Sequence, residues 1–408
     1  MDPRTLTTLR TADGERLLEQ LRDFQPGQEL ALATRLRREH PAELVSAALT
    51  QARLRQRARA KFGAEADAMF FTPGGVEQST RADVATHRAR RIAERLGGSG
   101  RVADLCCGIG ADAVALARAG LAVLAVDADP ATCAVAEANA AALGLADRVE
   151  VVCGDAAGTL AAALADGDAF DAVFLDPARR DGRGRIFDPE GYSPPLSTAV
   201  ELARLGRAVG AVKVAPGIPH EAVPDDATAE WVSVRGDVKE AVLWFGAPAG
   251  GPDPAARAAE RFTATLLPGA PPLRGPGTAQ APDGPVLRYL HEPDGAVVRA
   301  HLVAEVAEQL GGHLIDPTIA YITADTPGPS PYTSAYEITD VLPFNLKRLR
   351  AIVRERAIGT LTVKKRGSAV QPEELRRRVK PAGPNAATVI VTRVAGAPTM
   401  LLAQPVGG

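Results

Sequence analysis

Apolar residues recur at spacings of three and four through residues 14–24, 29–38 and 41–60, which predicts amphipathic helices over the first 68 residues. Pro26-Gly27 and His40-Pro41 punctuate them. Met69-Phe70-Phe71 is a short apolar run closed by the turn residues Thr72-Pro73-Gly74-Gly75. A helix is expected over 80–97, with Ser79 or Thr80 capping its free amides and Gly97-Gly98 as its stop. From 101 to 246 the pattern changes to compact apolar runs at 102–106, 122–126, 149–153, 170–175, 209–215, 230–234 and 241–245. Helical patterns separate the first five. This alternation predicts βαβ units and a largely parallel, doubly wound α/β sheet of Rossmann-like form. The last two runs are joined only by residues 235–240, so an antiparallel hairpin is expected there.

Pro and Gly then crowd residues 247–285, with one strand expected at 261–267. A smaller mixed α/β pattern follows, with helices at 301–310 and 344–356 and strands at 360–365, 388–394 and 400–403. The expected organisation is an N-terminal helical region (1–68), the Rossmann-like core (69–250), a Pro/Gly-rich linker (251–285) and a C-terminal α/β domain (286–408).

Composition narrows the class without choosing a function. Hydrophobic residues are 46% and charged residues 24% of 408, with net charge -2, which excludes collagen, coiled coil and disorder. No apolar stretch is long enough to cross a bilayer and the N-terminus lacks a signal-peptide core, so a cytoplasmic protein without a membrane partner is expected. The four cysteines (Cys106, Cys107, Cys133, Cys153) form no CxxC pair, and no His cluster accompanies them, so no metal is expected.

The chemistry begins at DLCCGIGAD, residues 104–112, an apolar strand running through a Gly-containing loop into a helix. Gly108 and Gly110 permit positive φ and close backbone approach to a ligand. The spacing also fits a relaxed dinucleotide fingerprint. Asp104 argues against NAD, because a carboxylate at that strand end opposes a pyrophosphate but pairs with an ammonium. Asp127 ends the next strand, where a carboxylate accepts both ribose hydroxyls. Asp155 ends the third, placed to hold an adenine amino group. Together they describe a site for a cationic adenosyl amino acid, S-adenosylmethionine. The alternative is that they are turn and cap residues of an unrelated α/β domain.

The fourth strand delivers Asp176-Pro177-Ala178-Arg179 to the ligand edge of the sheet. An exocyclic amine is a poor nucleophile. The Asp176 carboxylate and the Pro177 carbonyl are two acceptors able to hold its N–H groups and aim its lone pair. Arg179 suits stacking on a base or binding a phosphate, and suits a structural ion pair equally.

With these residues in place, 101–246 resembles the class I methyltransferases. DLCCGIGAD, AVDADP and FDAVFLDP resemble the bacterial group near trimethylguanosine synthase and the guanine-N2 RNA methyltransferases. FFTPGGVEQST resembles the segment preceding the core in that group, and the stretches EPDGAVVRA, LIDPTIAYIT, VLPFNLKRLR and TLTVKKRG resemble its C-terminal THUMP-like domain. The resemblance implies an S-adenosylmethionine-dependent methyltransferase with RNA as partner. It implies cofactor contacts from Thr80, Asp104, Cys106, Gly108, Gly110, Asp127, Asp155 and Ala156, and catalytic roles for Asp176, Pro177 and Arg179. The relatives usually carry Pro and an aromatic ring where Ala178 and Arg179 stand here; Phe187, Tyr192 and Trp231 are the candidates to replace that ring.

Charge adds one asymmetry. Residues 341–380 hold twelve basic side chains against three acids, net +9, leaving -11 on the rest of the chain. Lys364, Lys365 and Arg366 at a strand end are the expected nucleic-acid contacts. Two other functions remain open at this level: methylation of a small molecule, and an RNA-binding module whose cofactor site is silent.

Overall fold

Leu9, Leu17, Leu21, Val45, Ala48 and Ala58 repeat at helical spacing, and all are buried together. They drive four N-terminal helices, α1 (Pro3–Leu9), α2 (Ala12–Gln20), α3 (Glu29–Leu36) and α4 (Ala42–Phe62). Their apolar face shares one core with Ile109, Ala111, Val135 and Ala138 of the α/β region, so this helical layer is built onto the core sheet's helices. The computed structural model describes residues 3–25, 27–181, 184–185, 188–246 and 254–407. Phe187 and residues 247–253, part of the expected linker, lie outside them.

The chain divides into two compact units, Met1–Ala227 with Val242–Pro252, and Thr228–Ala241 with Asp253–Gly408. In the first, α5 (Pro73–Gln78) and α6 (Ala82–Arg95) lead into β1 (Arg101–Leu105), α7 (Ala111–Arg118), β2 (Ala122–Asp127), α8 (Pro130–Ala142), β3 (Val149–Cys153), α9 (Ala156–Ala165) and β4 (Ala172–Leu175). After a two-rung ribbon, β5 (Arg180–Asp181) with β6 (Gly184–Arg185), come α10 (Leu196–Ala203) and β7 (Val209–Val214). Strands β1, β2, β3, β4 and β7 are parallel and stand in the order β3-β2-β1-β4-β7. The chain winds outward one way from β1 and the other way from β4. The carboxyl ends of β1 and β4 therefore flank the switch point where ligands bind in such sheets.

One expectation fails locally. Helix α6 begins at Ala82 with Arg81 at the cap position, and neither Ser79 nor Thr80 caps it. Thr80 lies outside the helix, and its hydroxyl is turned to another partner described below. The FFTPGG segment is pinned instead by buried amides. Asn139 accepts from the Phe70 amide (2.7 Å) and donates to the carbonyls of Phe70 (3.1 Å) and Ile109 (2.9 Å). Gln51 accepts from the Phe71 amide at 3.0 Å. Asn139 thus ties the segment before the core to the loop after β1.

The second unit opens with β8 (Thr228–Val234), which turns at Arg235-Gly236, both at positive φ, into β9 (Asp237–Phe245), the expected hairpin, whose residues from Val242 onward belong to the first unit. After α11 (Pro254–Ala259), β10 (Phe262–Leu267) runs parallel to β8 and pairs with β11 (Leu273–Gly275), so part of the Pro/Gly-rich stretch is sheet. Then follow β12 (Tyr289–Pro293), α12 (Gly295–Arg299), α13 (Val303–Gln309), β13 (His313–Leu314), β14 (Ile322–Ala324), β15 (Thr333–Pro343), α14 (Leu346–Glu355), β16 (Ile358–Lys365), α15 (Pro372–Val379), β17 (Asn385–Val394) and β18 (Ala397–Pro405). They form a sheet ordered β13-β14-β12-β15-β18-β17-β16. Its alternate residues fill two cores. Val389, Val391 and Met400 pack with Leu349, Val353 and Leu375 of α14 and α15, while Ile390 and Leu401 pack with Ile319 and Tyr321.

Candidate functional site

The loops after β1, β3 and β4 are tied to the carboxyl ends of neighbouring strands by backbone bonds. The Cys107 amide donates to Val126 (3.0 Å), Gly154 to Asp127 (3.0 Å) and Asp176 to Leu105 (3.1 Å). Cys106, Gly108 and Gly110 all take positive φ in the loop after β1. At Gly108 a Cβ would meet nothing within 4 Å, so the backbone there borders open space that a ligand can occupy. Gly110 packs against Ala136, 3.3 Å from where its Cβ would stand.

Asp127 is oriented by this loop. Its Oδ2 accepts from the Gly108 amide and its Oδ1 from the Asp129 amide, both at 3.0 Å. Asp155 caps α9, accepting from the Gly158 amide at 2.8 Å, and Ala156 is the buried first residue of that helix. The Cys106 thiol is pushed up to about 12 by burial and by Asp127, and burial raises Cys107 well above the usual thiol range. Neither is a nucleophile at neutral pH; both fill the loop.

Asp104 is the unusual residue. It is 0% exposed, and neither carboxylate oxygen has a hydrogen-bond partner among the described residues. Burial, then the charge of Asp112, with smaller contributions from Asp176 and Asp127, raises its carboxyl well above the usual range against the pull of Arg88. A buried carboxylate without a donor is complementary to a cation, which fits the ammonium of an adenosyl amino acid and does not fit a pyrophosphate.

This has a measurable consequence. A carboxyl raised in the folded state binds a proton that the unfolded chain has released, so it subtracts stability as pH rises from the unfolded value, about 3.9, through the folded one. An ammonium docking at Asp104 favours the ionised form. Cofactor affinity should therefore rise with pH across that window, with proton release on binding. Asp104→Asn should raise the Tm of the free protein while weakening S-adenosylmethionine by tenfold or more, about 1.4 kcal/mol. Calorimetry in two buffers of different ionisation enthalpy reads the proton, and an unchanged affinity in Asp104→Asn would sink the assignment.

Asp176 follows β4 and is half-buried. Its Oδ2 lies 2.6 Å from the Nζ of Lys213, a buried lysine on β7 that sequence patterns did not single out. Lys213 also donates to the Thr80 hydroxyl at 3.0 Å, so three separate elements meet here. The other Asp176 oxygen, and the Pro177 carbonyl, accept no hydrogen bond among the described residues. Ala178 pairs with Ser193 in both directions (2.9 and 3.0 Å), and Arg179 is half-buried with no ion pair among the described residues.

Two candidates for the stacking ring do not present a face to a base. Tyr192 is 3% exposed, and Trp231 is fully buried in the second unit, 5.9 Å from Phe262. The basic triplet is also largely engaged. Lys364 pairs with Glu292 and lies over the Tyr336 ring at 5.3 Å. Arg366 donates to the Ala320 carbonyl at 2.9 Å. Only Lys365 is exposed. Among the described residues no group of His, Cys, Asp and Glu has the arrangement of a metal site, and no helix is long and apolar enough to cross a membrane.

Comparison with known proteins bears on the family and the fold. The family described as RNA cap guanine-N2 methyltransferase matches residues 99–179, THUMP domain-like matches 333–405, and a domain of unknown function matches 2–58. Two uncharacterized S-adenosylmethionine-dependent methyltransferases of Mycobacterium tuberculosis, from strains CDC 1551 and H37Rv, are each 33% identical over 355 residues, 84% of this chain and 90% of theirs. A crystal structure of a candidate methyltransferase from Porphyromonas gingivalis W83 is 21% identical and shares the fold with a TM-score of 0.75, over 94% of this chain and 100% of that one. An orphaned acid at the first strand end, a ligand-bordering glycine loop and an oriented acid at the second strand end are thus found in a chain that belongs to the S-adenosylmethionine-dependent methyltransferases.

Proposed function

We propose that this protein methylates an amino group of an RNA base. The observation that carries the reading is the open oxygen of Asp176 beside the free Pro177 carbonyl, two acceptors at the switch point between β1 and β4. Two acceptors suit the two N–H groups of an amine. Asp104, Asp127 and the loop carrying Cys106, Gly108 and Gly110 would hold the cofactor, with Asp155 and Ala156 on its adenine side and Thr80 near the methyl end. Bound S-adenosylmethionine supplies an electrophilic methyl group. The chain's own residues orient the nitrogen, exclude water and take up the proton that the nitrogen loses. Arg179, without an ion pair among the described residues, would meet a phosphate or the base. The match of residues 99–179 to an RNA methyltransferase family and of 333–405 to a THUMP-like domain supports RNA as the substrate class.

The RNA contacts are assigned to a different basic surface from the one the sequence suggested. Helices α14 and α15 bury Leu349, Ile352, Val353, Leu375 and Val379, and turn their basic residues outward. Lys347, Arg348, Arg354, Arg377 and Lys380 are exposed and make no ion pair among the described residues. The two helices are joined where Arg350 donates to the Arg378 carbonyl at 2.7 Å, making one continuous face. Replacing Lys347, Arg348, Arg354 and Arg377 by Ala should flatten the salt dependence of RNA affinity by about 0.7 per lost phosphate contact, about three in all on single strands. Replacing Lys364, Lys365 and Arg366 should change the slope by about one at most, and lower Tm, since two of the three are structural. An unchanged slope in the first variant would show a merely solvated surface.

The decisive experiment is transfer of labelled methyl from cofactor to total RNA, with protein and metabolite fractions in parallel. Label in RNA nucleosides, at an exocyclic nitrogen on digestion, is expected. Label confined to metabolites would replace this reading.

A further inference from the structure

Lys213 sits in β7, where all six positions from Val209 to Val214 are buried. A lysine there is expensive to bury, and an apolar side chain would serve packing better. Its ammonium lies 2.6 Å from Asp176 Oδ2 and 3.0 Å from Thr80 Oγ1, and its side chain is 5% exposed. We propose that Lys213 is a positioning residue for methyl transfer, holding Asp176 in one rotamer and supplying its countercharge so that Oδ1 serves the acceptor. This rests on the reading of Asp176 given above.

Three features support it. Asp176 shares this end of the sheet with the carboxyls of Asp104 and Asp127, and its charge is one of those that disfavour ionisation of Asp104, so an adjacent ammonium offsets a crowding of acids. The lysine occupies one carboxylate oxygen and leaves the other open. Thr80 anchors the ammonium independently of Asp176. The chemistry needs such an anchor. As the acceptor nitrogen's lone pair forms the new N–C bond, the electron pair of the breaking S–C bond stays on sulfur. The nitrogen then carries one proton and one positive charge in excess. That proton passes to Asp176 Oδ1 and on to water, so the carboxylate changes charge within each turnover. Thr80 keeps Lys213 in place through both states.

The test uses the full chain, labelled cofactor, and total RNA beside a metabolite extract. Lys213→Met should lower kcat on the order of 100-fold, while KM and the cofactor Kd stay within about threefold. Lys213→Arg, which keeps the charge, should recover about a tenth or more of wild-type turnover. The Lys213→Met/Asp176→Asn double variant should be no slower than Asp176→Asn alone, because the lysine acts through that carboxylate. Effects that multiply, or that fall only on KM or cofactor affinity, would overturn the proposal. With seven lysines in the chain, the ¹³Cε signal of Lys213 is assignable by its loss in Lys213→Met. It should move in Asp176→Asn, and a signal that stays put overturns the pairing even if Lys213→Met folds poorly. If the wild type labels metabolites and not RNA, the RNA reading fails, and the same ratios measured there decide Lys213. If no fraction takes label, the methyl-transfer role of this strand end fails and the proposal falls with it.

Discussion

Asp176→Asn is expected to lower turnover by two orders of magnitude or more with cofactor affinity nearly intact. The amide keeps the shape and one acceptor but loses the charge that interacts most strongly as positive charge develops on the attacking nitrogen. Removing one preorganised electrostatic partner of this kind costs about 10² to 10³ in rate. The tertiary structure adds a second consequence. The anion 2.6 Å from the buried Lys213 ammonium disappears, so Tm should fall as well. Rate and stability are separated by assaying well below the new Tm and by titrating cofactor in the same variant. Asp176→Ala should be slower still, since orientation is lost too. Full activity in Asp176→Ala would end the argument for chemistry at this strand end.

Arg88→Met is expected to be the most destabilising single change in the core. Arg88 is 2% exposed on α6, ion-paired with the buried Asp112 of α7, and its guanidinium lies 4.5 Å over the Phe174 ring of β4. It is also the cation that opposes the raised carboxyl of Asp104. Methionine fills much of the volume but leaves two buried acids without that charge. Breaking a buried pair from one side costs about 3 to 5 kcal/mol. In a unit of this size that corresponds to a fall in Tm on the order of 10 °C. Arg88→Met with Asp112→Leu should recover most of the loss, because an apolar pair replaces an ionic one at little cost. A Tm within about one degree of wild type in the single variant would show that the pair contributes nothing net. The predicted cost is independent of substrate.

The core strands were legible because each is a short apolar run between turn residues, and a strand buried on both faces must be apolar throughout. The acids that close or follow the next runs, Asp127, Asp155 and Asp176, were legible for the same reason: a charge after an apolar run marks where the strand leaves the sheet, whereas Asp104 stands inside β1, paired on both sides, and was legible as a lone charge in an apolar run. Strand β15 was missed because its outward positions are polar and its burial alternates weakly, so its sequence resembles a loop. Strand β10 stood out as an apolar run inside a Pro/Gly-rich stretch, whereas β11, three residues long, reads as linker there and is a strand through its pairing with β10.

The sequence by itself determined the class: a parallel α/β sheet, a glycine loop after the first strand, and carboxylates at the carboxyl ends of successive strands. Those features are local, each set by a few neighbouring residues and their period. The tertiary structure alone decided which charges are paired. Lys213 and Asp176 are 37 residues apart, Lys364 and Glu292 are 72 apart, and Arg88 and Asp112 are 24 apart. In sequence Lys213 is one polar residue in an apolar run, and Lys364 is one of a basic triplet. Strand order and register bring Lys213 beside Asp176 at the carboxyl ends of the strands, and tie the half-buried Lys364 to Glu292. Pairing between side chains on different elements depends on how those elements stack, and no local pattern of residues encodes that.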